Sequence, residues 1–208
     1  MQPRVLDISH HNTVGAAGFD AVAGAGIWGI IHKATQGKAY ADPDYVSRRF
    51  GVHSAGLLFG AYHFATGDDV KAQVDWVLLR AKPDDKTLMV LDFEDNRLSQ
   101  MSIAQALEFL HLLESRLGRP AAIYSGNRLK EHMGDLRKGD RDYLTSHRLW
   151  LAQYGQHPKL PVGFNKLWLH QYTDGIYNKD KTPLPGITGQ LDRNAYAGTR
   201  DQLIKEWG

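Results

Sequence analysis

The sequence predicts an α/β fold, a compact parallel barrel that becomes irregular toward its end, on three observations. Eight short apolar, β-rich runs recur along 208 residues. Helical patterns separate several of these runs in the first half of the chain. After residue 148, loops containing proline and glycine take the place of the helices. Alternating strands and helices argue for a parallel sheet, and eight strands in about two hundred residues argue for closure into a barrel. A chain of this size buries roughly 70% of the surface its unfolded form exposes. One domain, residues 1–208, is therefore expected, and no repeat or low-complexity linker divides it.

The candidate strands are residues 4–10, 27–35, 57–66, 88–94, 121–125, 149–154, 167–172 and 190–195. The clearest helix opens at Ser102 with Gln105 three residues on, a capping-box pattern. Ile103, Leu107, Leu110 and Leu117 follow at helical spacing, and Gly118 and Pro120 close it. A second helix is expected after Gly67, with Asp68 as N-cap. Val70, Val74, Val77 and Ala81 form its apolar stripe and Pro83 ends it. The longest loop is expected at residues 178–189, between the last two strands.

Composition narrows the function. Hydrophobic residues make up 42% and charged residues 23% of the chain, and no run of eighteen apolar residues is long enough to span a bilayer. The formal charge of +2 comes from 25 basic and 23 acidic residues spread along the sequence. No basic stripe of the kind nucleic acid requires is present. With no cysteine, disulfides and cysteine-bound metals are excluded, and either redox compartment is permitted. Met1-Gln-Pro-Arg4 leads directly into a strand, without the features of a secretory signal.

In a parallel barrel the reacting groups sit where strands end at the C-terminal mouth. The run that starts at Leu88 stops in Asp92-Phe-Glu94. Side chains alternate along a strand, so Asp92 and Glu94 face the same way with Cα atoms roughly 6.6 Å apart. Such a pair tends to hold one ionised carboxylate and one proton-bearing acid, the division of labour that cleaves a glycosidic bond. Asp7 ends the first run and Asp192 lies in the last. Closure of the barrel makes those strands neighbours and brings both acids to the same mouth. Tyr62, His63, Phe64, Tyr124, Trp150, Gln153, Tyr154, Gln171 and Tyr172 occupy equivalent places, where rings stack on sugars and amides bind their polar substituents. Each of these residues also has a plainer use, as a helix or turn cap for the acids and as core packing for the aromatics.

Three patterns lead elsewhere and are set aside. Gly24-Ala-Gly26-Ile-Trp-Gly29 fits the dinucleotide fingerprint, but a helix precedes it and a strand follows, the reverse of what phosphate binding needs. His10 and His11 are adjacent, so they face opposite sides of a strand, and no zinc-binding spacing occurs. Ser125 lacks the Gly-x-Ser-x-Gly elbow of a nucleophilic serine.

Read together, the strand ends resemble glycoside hydrolase family 25, the Chalaropsis-type lysozymes. The matching pieces are Asp7-Ile-Ser-His-His-Asn12, Lys33-Ala-Thr-Gln-Gly37, Gly60-Ala-Tyr-His-Phe64, Leu91-Asp-Phe-Glu94, Ile123-Tyr-Ser-Gly126, Leu149-Trp-Leu-Ala-Gln-Tyr154, Leu167-Trp-Leu-His-Gln-Tyr172 and Leu191-Asp-Arg-Asn194. They occur in the family's order over nearly the whole chain. The resemblance implies an irregular, flattened TIM-like barrel of five β/α units and three further strands. It also implies hydrolysis of the β-1,4 bond between N-acetylmuramic acid and N-acetylglucosamine in bacterial peptidoglycan. Glu94 would be the general acid, and Asp92 would assist attack by the substrate's own acetamido group. Asp7 and Asp192 would support that pair, while Tyr62, Phe64, Tyr124, Trp150, Gln153, Gln171 and Tyr172 would bind the glycan. No metal or organic cofactor is implied, and a monomer suffices. His10, His11 and Asn12 stand where the family often has an amide.

A chitin-directed glycosidase and a non-catalytic glycan-binding barrel are the alternatives, and retention of all four acids counts against the second. The site of action would be the cell wall. Release during phage lysis, injection as an effector and trimming from a secreted precursor all fit that location, and an inhibitor or immunity protein stays open.

Overall fold

A computed structural model describes residues 1–176 and 182–208. All eight predicted runs are strands: β1 (Val5–Ile8), β3 (Gly29–Gln36), β5 (Leu58–Phe64), β6 (Leu88–Asp92), β7 (Ala122–Ser125), β8 (Arg148–Ala152), β9 (Leu169–Thr173) and β11 (Asp192–Ala195). They pair in the cyclic order β1-β3-β5-β6-β7-β8-β9-β11, and β11 returns to β1. Every pairing from β1 to β9 is parallel. The two pairings of β11 are antiparallel, and one of them sets Asp7 directly opposite Asp192. Short strands β2 (Thr13–Val14), β4 (Tyr40–Ala41) and β10 (Ile187–Thr188) decorate the rim.

Helices α1 (Gly18–Gly24), α2 (Tyr45–Ser54), α3 (Val70–Ala81) and α4 (Ile103–Leu117) follow β1, β3, β5 and β6. The pair α5 (Asn127–His132) and α6 (Lys138–Thr145) follows β7. Five β/α units and three further strands result, with α7 (Arg200–Trp207) closing the chain. Strand parity divides the apolar residues in two. Val5, Ile31, Leu88, Val90 and Leu169 point inward with Trp150, Trp168 and Trp207. Their neighbours Leu6, Ile30, Met89, Leu91 and Leu149 point outward and pack under the helices.

Helix α4 has the full capping box between Ser102 and Gln105, and it ends at Gly118 in the left-handed region. Its buried face is Ala106, Phe109, Leu110 and Leu113, with Ile103, Leu107 and Leu117 at the edges. Helix α3 buries the predicted stripe, but its cap is Asp69, whose side chain accepts from the Ala72 amide at 2.8 Å. Asp68 instead accepts from the Thr66 hydroxyl at 2.8 Å and pairs with Lys38. Residues 178–181 of the predicted long loop lie outside the described residues. Its remainder contains β10, which pairs with β2 and so is not all loop.

The sequence reading did not place α7. Its Thr199-x-x-Gln202 capping box is legible in the sequence, and the structure forms it completely. The helix drives Trp207 into the N-terminal end of the barrel, where its indole N–H donates to the Phe59 carbonyl at 2.8 Å. Gly29 is required beneath it, since a Cβ there would lie 2.9 Å from the Trp207 ring. Thr199→Ala is expected to cost about 1 kcal/mol, the usual value of an N-cap. Urea unfolding should show this as a lower midpoint at unchanged slope.

Candidate active site

At the opposite, C-terminal mouth, inward parity brings polar and aromatic residues from eight strands to one cleft of about 250 Å³. Asp7, Lys33, Tyr62, Phe64 and Asp92 arrive from β1, β3, β5 and β6. Tyr124, Trp150, Gln171 and Asp192 complete the wall from β7, β8, β9 and β11. Glu94 lies two residues past the end of β6. The Phe93 amide still donates to the Tyr124 carbonyl at 2.9 Å, which extends the ladder and keeps Glu94 in the inward phase with Asp92.

A chain of hydrogen bonds fixes this wall. The Tyr124 hydroxyl donates to Gln171 Oε1 at 2.9 Å, which orients the Gln171 amide so that Nε2 donates to both Asp7 oxygens at 3.1 and 3.2 Å. From the other side Trp150 Nε1 donates to Asn194 Oδ1 at 2.6 Å, and Asn194 Nδ2 donates to Asp7 Oδ1 at 2.7 Å. Asp7 therefore receives donors from two amides, each locked by an aromatic residue. Such bonds favour the ionised form of a carboxyl.

The four acids are buried together with Lys33 as the neighbouring cation, and like charges this close disfavour ionisation of all four. Burial raises the pKa of Asp7 to about 6, against the lowering effect of Asn194 and Gln171. Burial, with the charges of Asp7 and Asp95 adding to it and Lys33 opposing, raises Glu94 to about 7. Asp192 is raised to about 9 by burial and then by Asp7, its cross-strand partner. Like charges directly opposite each other repel, and the amide donors make Asp7 the ionised member of that pair. Asp92 is raised well above its usual range by burial and by Glu94. It is 5% exposed, and its buried Oδ1 has no hydrogen-bond partner among the described residues. A buried acceptor left unpaired costs free energy until a donor reaches it.

Three predicted residues stand elsewhere. His63, between the inward Tyr62 and Phe64, faces outward, where it is hydrogen-bonded with Thr35 and Gln73 and stacks on Phe109. Tyr172 is one residue out of phase with Gln171, so it faces outward beside His170, with ring centroids 6.3 Å apart, and does not line the cleft. Adjacent strand residues cannot both face the mouth. Gln153 lines an adjoining groove, where its Oε1 accepts from Lys130 Nζ and from the Lys159 amide. Gln171 and Trp150 do line the cleft, but their polar atoms are committed to the protein.

Sequence reasoning assigned no role to Lys33 or Asn194. The signal for Lys33 was a charge inside the apolar run Ile30-Ile31-His32-Lys33-Ala34. For Asn194 it was the same strand phase as Asp192. Lys33 donates to Gln36 Oε1 at 2.7 Å, lies 4.8 Å from the Phe64 ring centroid, and lowers the pKa of both Asp92 and Glu94 by its charge. Lys33→Met is therefore expected to keep Glu94 protonated to higher pH. The alkaline limb of the activity profile should move up by about one pH unit, equivalent to roughly 1.4 kcal/mol.

A closed α/β barrel with paired acids and an aromatic wall at its C-terminal mouth defines a class, the barrel glycoside hydrolases. Within that class the chain belongs to Glycosyl hydrolases family 25, whose profile matches residues 6–181. It is 26% identical to Lysozyme M1 of Streptomyces globisporus, over 96% of this chain and 69% of that protein. It is 29% identical to the YegX protein of Escherichia coli over 82% of this chain, and it spans 60% of YegX. Among solved structures, a bacterial lysozyme from Streptomyces coelicolor superposes with a TM-score of 0.83 at 25% identity, covering 97% of this chain and 95% of that one.

Proposed function

We propose that this protein is an N-acetylmuramidase, a lysozyme that hydrolyses the β-1,4 bond from N-acetylmuramic acid to N-acetylglucosamine in bacterial peptidoglycan. The observation that carries the mechanism is the unpartnered Asp92 Oδ1 beside Glu94 in the cleft. An acetamido N–H from the substrate supplies the missing donor. Accepting that bond favours the carboxylate form of Asp92 and aligns the acetamido oxygen with the anomeric carbon. Glu94, held at about 7, donates its proton to the glycosidic oxygen as that oxygen leaves and the acetamido oxygen bonds to the anomeric carbon. Water then opens the cyclic intermediate and returns a proton to Glu94, with retention of configuration. Tyr62, Phe64 and Tyr124 offer ring faces to the sugars. Asp7 is the fixed negative charge that stabilises the positive charge developing at the anomeric carbon, and Asp192 supports it from the facing strand. The similarity to named lysozymes supports the same reading. Residues 1–208 form one catalytic barrel that works on the cell wall as a monomer.

The test is to digest purified peptidoglycan, reduce the products with borohydride and identify the new ends by mass spectrometry. Reduced N-acetylmuramic acid is expected. Reduced N-acetylglucosamine ends would reassign the bond, and glycan binding without any new ends would make the barrel a binding module.

A further inference from the structure

The acidic cleft continues into a second groove of about 380 Å³, and Glu94, Tyr124 and Tyr154 line both. Gly126, Asn127, Ala152 and Gln153 form the rest of its wall. Beyond its Gln153 wall the neighbouring charges are positive, in contrast to the acids of the cleft. At the Gln153 wall stand Lys130, whose ammonium donates to Gln153 Oε1, and Lys159, whose backbone amide donates to the same oxygen at 3.0 Å. His170 joins them through a 2.7 Å contact from Nε2 to the Gln153 carbonyl. No carboxylate among the described residues pairs with Lys130 or Lys159. Burial and then the neighbouring Lys159 lower the pKa of Lys130, and burial, with a smaller contribution from Lys130, lowers that of His170. Two lysine side chains gathered beside one amide, with no carboxylate pairing them among the described residues, make a positive site for an anion. Gln153 acts here as a clasp for the two lysine segments.

We propose that Lys130 and Lys159 form a binding site for a carboxylate carried on the glycan as a side branch. This rests on the muramidase reading, because peptidoglycan bears such groups on every muramic acid, through its lactyl ether or the short peptide attached to it, and chitin bears none. The groove shares Glu94 with the cleft and Gln153 with the lysines, so it runs from the bond being cut toward the proposed site. Recognition of the branch carboxylate anchors the chain in register with the catalytic acid, and it selects wall glycan over an uncharged polymer of the same sugars.

The experiment compares wild type, Lys130→Gln/Lys159→Gln and Lys159→Glu on three walls. These are native peptidoglycan, the same wall with its carboxyls amidated by carbodiimide and ammonia, and amidase-stripped strands with free lactyl carboxylates. Among the described residues the Lys159 side chain makes no hydrogen bond or ion pair, and its clasp contact is through the backbone amide, so Lys159→Glu tests charge without disturbing the clasp, and melting temperatures confirm folding. On native wall the double variant is expected to lose about five-fold in kcat/KM, through KM, the range of a partly exposed ion pair. Lys159→Glu should lose as much or more. On amidated wall all three proteins should perform alike, at the level of the variants. Persistence of the loss on stripped strands would assign the lactyl carboxylate, and its disappearance there would assign the peptide. Unchanged kcat/KM on native wall, or an equal loss on native and amidated walls, would overturn the proposal. If wild type releases no muramic ends from any wall, the muramidase reading itself fails and this inference falls with it.

Discussion

Glu94→Gln is expected to reduce turnover on peptidoglycan by about a thousand-fold, within the range that general acid catalysis contributes. Glutamine keeps the size of the side chain, so KM and melting temperature should change little. The sign of the pH dependence follows from the role. An acid works while protonated, and burial holds Glu94 at about 7, so wild-type activity should fall as pH rises through about 7. Because the four carboxyls titrate together, that limb belongs to the cluster, with Glu94 as its main contributor. An activated aryl glycoside, whose leaving group needs no proton, should be cleaved by Glu94→Gln with a much smaller deficit. A variant within ten-fold of wild type on the wall, with the same alkaline limb, would remove Glu94 from the role.

Asp92→Asn is expected to act in opposite directions on activity and stability. Turnover should fall by about a hundred-fold or more, because an amide cannot carry the negative charge that stabilises the developing transition state. Stability is governed by proton linkage. In the unfolded chain Asp92 ionises in the ordinary carboxylate range, whereas in the folded protein burial and Glu94 raise it well above that range. The folded state therefore binds more protons than the unfolded state above about pH 4, and stability declines as pH rises. Asparagine removes that dependence at this position. At pH 8 the variant should melt above wild type, by about 2–4 °C for each kcal/mol recovered, and at pH 4 the two should coincide. Lower stability of the variant at pH 8 would mean that Asp92 is held as a stabilised carboxylate in the free protein.

The chemistry of the site was more legible than its boundaries. Asp92-Phe-Glu94, Asp7 and Asp192 were identified because charged residues at the end of an apolar strand have few other reasons to be there, and strand alternation then fixed their direction. The same rule, followed strictly, separates Gln171 from Tyr172. The family pattern had placed both in the groove, and only one phase of a strand can face it. Asp69 displaced Asp68 as the cap of α3 because both have suitable side chains, and the choice rests on where Thr66 and Lys38 lie.

By itself the sequence determined an eight-stranded barrel, irregular toward its end, and the four acids at its mouth. These follow from local periodicity, strand parity and chain closure, which need no coordinates, whereas the division into five β/α units and three further strands came from the resemblance to the family. Only the tertiary structure decided how the acids divide their protons. That division depends on the amide pair Gln171 and Asn194 converging on Asp7 from residues more than 160 positions away in sequence, on Lys33 facing the other acids, and on burial. It also decided that Trp207 seals the far end and that Gln153 gathers two lysines beside the cleft. Electrostatic interactions depend on distance and solvent exclusion, and both are set by how distant segments pack.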